Sequence, residues 1–107
     1  MILQNNIVER FYTHTEFLSL NYYYIPGRAT PIFNVYPIDI DVEKRQIIAE
    51  LKYYNRKRRY YFYPCVGTFW DSKCLKEIYK LLEEVTKTYL ILRIEDTYTV
   101  VTHQNKK

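Results

Sequence analysis

Between Gln46 and Pro64 the chain reads QIIAELKYYNRKRRYYFYP, with apolar and polar positions alternating on either side of a cationic run. That period of two predicts a pair of strands whose side chains sort onto opposite faces. With Asn55–Arg58 as the loop, Tyr54 pairs with Arg59, Lys52 with Tyr61 and Leu51 with Phe62. One face then holds Ile47, Ala49, Leu51, Tyr53, Tyr60 and Phe62, and the other holds Glu50, Lys52, Tyr54, Arg59, Tyr61 and Tyr63. A three-residue loop would slip the register by one and mix Leu51 with Arg59 and Tyr61, so the even loop is the expectation.

The pattern elsewhere is less uniform. Cys74, Leu75, Ile78, Leu81, Leu82 and Val85 recur at helical spacing, with Lys73, Lys76, Glu77, Lys80, Glu83 and Glu84 on the other side. This predicts an amphipathic helix over 72–86, capped by Asp71 or Ser72. Residues 32–40 are rich in β-branched and aromatic types and predict a strand that Pro37 limits to an edge or breaks. TYLILRI and TYTVVT, parted by Glu95 and Asp96, predict a closing hairpin. Near the start, Ile7, Val8, Phe11 and His14 share a helical face and point to a short helix over Asn5–Thr13, although FYTHTEFLSLNYYYI also alternates as a strand. Pro26, Gly27 and Pro31 bracket a loop. The expected fold class is α+β, an antiparallel sheet of about five strands with one main helix, 72–86, packed on one face and a short N-terminal helix. At 107 residues this is one domain, 1–107, able to bury a core without metal or disulfide staples.

Composition sharpens the picture at one place. The chain has 13 Tyr and only 2 Gly, so it offers little for a glycine loop cradling a nucleotide, and no cofactor is expected. The net charge of +4 is uneven. Lys52, Arg56, Lys57, Arg58 and Arg59 put five cations into eight residues with no acid among them, and the rest of the chain is close to neutral. A patch of that kind acts on partners within about 8 Å at physiological salt. Cys65 and Cys74 lack zinc-site spacing, so no metal is expected, and without a secretory signal they read as reduced thiols of an intracellular, cytoplasmic protein. No run approaches the roughly 18 apolar residues of a membrane span.

Catalytic chemistry has one candidate. Pro37-Ile38-Asp39 followed by Glu50-Leu51-Lys52 resembles the signature of the PD-(D/E)xK nucleases, over residues 37–52 only. The resemblance implies that Asp39 and Glu50 would hold Mg²⁺ while Lys52 supports the attacking water, with Asp41 or Glu9 as a further ligand. Ile38 directly after Pro37 departs from that pattern, as does a strand that runs on into a tight hairpin. His14 and His103 lie near opposite ends, and neither cysteine sits in a nucleophile elbow. Three strands followed by a helix is also the order of double-stranded-RNA-binding domains and of small sheet-reading DNA-binding domains, a likeness of architecture without a residue signature.

Binding therefore ranks ahead of catalysis. The first expectation is a non-enzymatic nucleic-acid-binding protein in which Arg56, Lys57, Arg58 and Arg59 meet phosphates, with Lys52 beside them, and Tyr54, Tyr61 and Tyr63 stack on bases. The alternative is a protein-interaction module, a small regulator or inhibitor docking on a protein or ribonucleoprotein, since Tyr and Arg also anchor protein interfaces. Low Ala and Gly with abundant Tyr, Ile and Lys suits an AT-rich coding source such as a mobile element. A homodimer through a strand edge or the tyrosine-rich face is a further expectation.

Overall fold

In a computed structural model, residues 8–38, 40 and 44–88 are described, and they form five strands and one helix. In chain order these are β1 (Arg10–His14), β2 (Leu18–Tyr23), β3 (Ile32–Pro37), β4 (Ala49–Tyr54), β5 (Arg59–Pro64) and α1 (residues 72–88). The strands make one antiparallel sheet in the order β1-β2-β3-β4-β5, each bonded to its neighbour in sequence. The α+β class holds, with the five strands distributed differently from the expectation. Val8 to His14 do not form the predicted helix: Val8 makes a single bridge and β1 pairs with β2 from Arg10 onward. The alternation of FYTHTEFLSLNYYYI prevails because a strand here is completed by the whole length of β2, whereas an isolated helix would have to hold itself together. Asn5 to Ile7, and the predicted closing hairpin, lie outside the described residues.

One face of the sheet carries Leu18, Leu20, Phe33, Val35, Ala49, Leu51, Tyr53 and Tyr60, all buried against Ile78, Leu81 and Val85 of α1. Burying each large side chain of this kind is worth about 1.5–3 kcal/mol, which is what holds the helix to the sheet. Polar bonds then fix its direction. Glu77 accepts from the Thr15 hydroxyl and the Phe17 amide at the β1–β2 turn. Glu84 accepts from the Tyr12 hydroxyl at 3.2 Å, and Thr86 Oγ1 accepts from the Tyr60 amide at 2.8 Å. The helix starts at Asp71, whose carboxylate accepts from the Cys74 amide at 2.8 Å and is held below its ordinary pKa mainly by that bond.

Two predicted boundaries moved. The first strand of the central hairpin, β4, begins at Ala49 rather than Gln46, because the amide of Ile48 donates to the Val35 carbonyl that Ala49 already faces. This bulge changes the parity, so Ile48 rather than Ile47 packs on the core. On α1 the expected apolar stripe narrows: Leu75 is exposed, whereas Ile78, Leu81 and Val85 are buried.

Candidate nucleic-acid interface

The hairpin of β4 and β5 has the register that alternation predicts, with Tyr54 opposite Arg59, Lys52 opposite Tyr61 and Leu51 opposite Phe62. Its loop is Asn55–Arg58, closed by the Lys57 and Arg58 amides donating to the Tyr54 carbonyl at 3.2 and 2.9 Å. Arg58 sits at φ 55°, in the left-handed region that loops usually give to glycine. A cation thus occupies a position where a side-chain-free residue would be less strained. Arg56, Lys57, Arg58 and Arg59 are all exposed, and none makes an ion pair with an acid among the described residues.

Behind this tip, Lys52, Tyr54, Arg59, Tyr61 and Tyr63 share the sheet face turned away from α1. Tyr54 and Tyr63 keep 39% and 42% of their surface open, and Tyr61 is half-buried. The Tyr54 and Tyr61 rings meet edge to face, with centroids 5.5 Å apart. The Lys52 ammonium lies 5.3 Å from the Tyr63 ring centre and 3.3 Å from the Glu50 carboxylate. Glu50 offsets part of the charge of Lys52, so the free positive potential is concentrated at the tip. All eight predicted contact residues therefore lie on one hairpin, three at its tip and five on one face.

The nuclease constellation is not assembled in the same way. Glu50 and Lys52 are neighbours on the open face, but Asp39 and Asp41 lie outside the described residues. Glu9, expected on a helix, stands just ahead of β1 with 5% of its surface exposed. Its carboxylate accepts from Asn21 Nδ2 at 2.8 Å, from Asn34 Nδ2, and from the Tyr36 hydroxyl at 2.8 Å to each oxygen. Both oxygens are thereby committed to protein donors. Among the described residues, no three His, Cys, Asp or Glu side chains converge as a metal site would need.

This buried network went unforeseen. Asn21 faces Asn34 across β2–β3, Asn34 faces Glu50 across β3–β4, and Glu50 faces Tyr63 across β4–β5, so one polar row crosses the sheet. It runs from a buried end at Glu9 to an open end at Tyr63. The Arg45 guanidinium lies 4.2 Å from the Tyr36 ring centre. Burial, then the bond to Glu9, pushes the Tyr36 phenol well above its ordinary pKa. The available signal was Asn21 and Asn34 each standing alone inside an otherwise apolar strand.

The β5–α1 loop turns one of its two adjacent aromatic side chains inward and the other outward. Trp70 does pack on the core, its ring edge-to-face with Phe62 at 5.0 Å. Phe69 turns away from the core and is fully exposed, as is Val66. The loop holds this shape because the Thr68 hydroxyl donates to the Cys65 carbonyl at 2.6 Å and accepts from Trp70 Nε1 at 2.9 Å, with Gly67 supplying a φ of 82°. No helix among the described residues is long and apolar enough to cross a membrane. The chain matches no protein-family model, no curated protein and no solved structure.

Proposed function

We propose that this protein binds nucleic acid without acting on it, through the β4–β5 hairpin. The observation that supports this is the coincidence, on one hairpin, of four exposed cations without acidic partners among the described residues and two half-open tyrosine rings beside them. Arg56, Lys57, Arg58 and Arg59 engage phosphates, and Tyr54 and Tyr63 present ring surface to bases, with Tyr61 bracing Tyr54 from behind. Lys52 contributes less, being shared with Glu50. A mobility-shift titration across salt tests the reading. Affinity should fall with a log–log slope of roughly 0.7 to 0.9 per phosphate contacted, and the Arg58→Glu, Arg59→Glu double variant should lose binding. Salt-independent binding, or none, would reject it.

A second reading, a protein-interaction module, is favoured by Val66 and Phe69, two fully exposed apolar side chains on a loop fixed by its own hydrogen bonds. A partner retained from nuclease-treated lysate by the native chain but not by Phe69→Ser, together with no mobility shift, would favour that module.

A further inference from the structure

Building on the nucleic-acid reading above, we infer that the ligand of the hairpin is single-stranded, and that the open rings read unpaired bases while the tip alone handles backbone. Same-face residues along a strand repeat every two positions, about 6.4–6.8 Å apart. Bases within a duplex follow one another at about 3.4 Å per strand, each with both faces already covered by its neighbours. Tyr61 and Tyr63 stand one such repeat apart on β5, and Tyr54 stands level with Arg59 one repeat nearer the tip. The two open rings, Tyr54 and Tyr63, thus lie two repeats apart along the ladder, about four times the stacked spacing, and cannot continue a base stack. They can only take up bases that have been drawn apart.

The charges fix which way such a strand lies. Glu50 is directly opposite Tyr63 and neutralises Lys52 there, so the far end of the ladder offers phosphate little net attraction, and the four cations at the near end, which pair with no acid among the described residues, attract it. The backbone is therefore held toward the tip and its bases are laid down along the face, onto Tyr54 and Tyr63. The rings are fixed before any base arrives: Tyr54 is braced edge-to-face by Tyr61, and Tyr63 lies under the Lys52 ammonium. A platform already in place loses little freedom on binding. A duplex placed on the same hairpin gains only the electrostatics of Arg56 to Arg59, because its base faces are out of reach of rings on a sheet.

Fluorescence anisotropy at fixed ionic strength tests this with four probes of equal length: oligo-dT, oligo-U, and the duplexes of each with its complement. Single strands of either sugar should bind more tightly than either duplex. Tyr54→Ala and Tyr63→Ala should each weaken single-strand binding roughly 5- to 150-fold while leaving duplex binding where it was. Tyr54→Phe and Tyr63→Phe, which keep the ring, should retain the preference and serve as folded controls. A tighter oligo-U than oligo-dT would assign the strand to RNA, the reverse to DNA. Duplex binding equal to single-strand binding, with the alanine variants unchanged, would overturn the single-strand inference and leave the nucleic-acid reading standing. Failure of all four probes to bind in a salt-dependent way would overturn both.

Discussion

Replacing Glu9 by alanine tests whether the polar row across the sheet is structural. In the native protein the carboxylate is nearly sealed from water and satisfies three donors, Asn21 Nδ2, Asn34 Nδ2 and the Tyr36 hydroxyl. Removing it takes that acceptor from all three in a place that solvent reaches poorly, at about 1–3 kcal/mol for each bond left unmade. Against that loss stands the desolvation penalty of the carboxylate itself, which the variant no longer suffers. The net expected is about 3–5 kcal/mol, the range for breaking a buried charged network by removing one member. For a chain of this size that lowers the melting temperature by more than about 10 °C. Glu9→Gln should cost far less, about 1–2 kcal/mol. Its amide oxygen still accepts one bond, and its NH₂ can donate to the Asn21 or Asn34 side-chain oxygen, both of which are buried without a partner among the described residues. Urea unfolding followed by circular dichroism measures both. An alanine variant within about 1 kcal/mol of the native chain would refute the network's role, and a glutamine variant as damaged as the alanine one would mean that charge rather than hydrogen bonding matters.

Two further outcomes follow from strained or shifted groups. Arg58→Gly removes a side chain from φ 55°, relieving about 1–2 kcal/mol of left-handed strain. Part of this is offset by about 0.4–1 kcal/mol of added freedom in the unfolded chain, so chemical denaturation should show a modest gain in stability. The same variant should bind nucleic acid less tightly and with a shallower salt slope, and a loss of stability would show that the left-handed turn is not strained. Tyr12, Tyr23 and Tyr36 all have phenols raised above their ordinary pKa, chiefly by burial, with Glu84, Glu50 and Glu9 respectively adding to the rise. A raised folded pKa means that the stabilisation is complete below the unfolded value of about 10 and is lost as pH climbs beyond it. Alkaline unfolding followed by tyrosinate absorbance should therefore be shallower in Tyr36→Phe than in the native chain. Identical slopes would dismiss Tyr36 as a contributor.

The hairpin could be read from sequence because its evidence is local. Leu51, Tyr53, Tyr60 and Phe62 alternate with charged and hydroxylated neighbours, and only an even loop keeps them together, so register follows from pattern alone. Helix α1 was equally legible from the period of Ile78, Leu81 and Val85 and from Asp71 as its cap. The start of the chain was not. Ile7, Val8, Phe11 and His14 keep a helical period while FYTHTEFLSLNYYYI also alternates, and the choice is made by β2, which supplies partners for Arg10, Phe11, Thr13 and His14. The Glu9 network was hidden for a related reason. A single Asn within a strand looks the same whether its face is wet or covered, and only packing between distant segments decides. Phe69 shows the converse, since an aromatic next to Trp70 invites burial until the Thr68 bonds turn the loop outward.

The geometry of β5 narrows how any partner is met. Among the described strands it stands at one end of the sheet, where unpaired amides ordinarily invite another strand. The Cys65 amide donates to the carbonyl of Ile48, just ahead of β4, so by alternation Tyr60, Phe62 and Pro64 turn their backbone outward. Pro64 has no amide to give, and that of Tyr60 is taken by Thr86 of α1. Phe62 alone remains as an outward donor, too little for a strand ladder, so a homodimer built by pairing β5 to β5 is disfavoured. Recognition at this side of the molecule must then run through side chains, and they divide into two groups. The cations lie at the start of β5, while Val66 and Phe69 follow its end, about 17–20 Å away along a six-residue strand. An acidic strand on the one and an apolar surface on the other would not compete for space. The proposed nucleic-acid contact at the tip and the alternative protein contact at the loop would therefore be separable, and a variant of either site should leave the other intact.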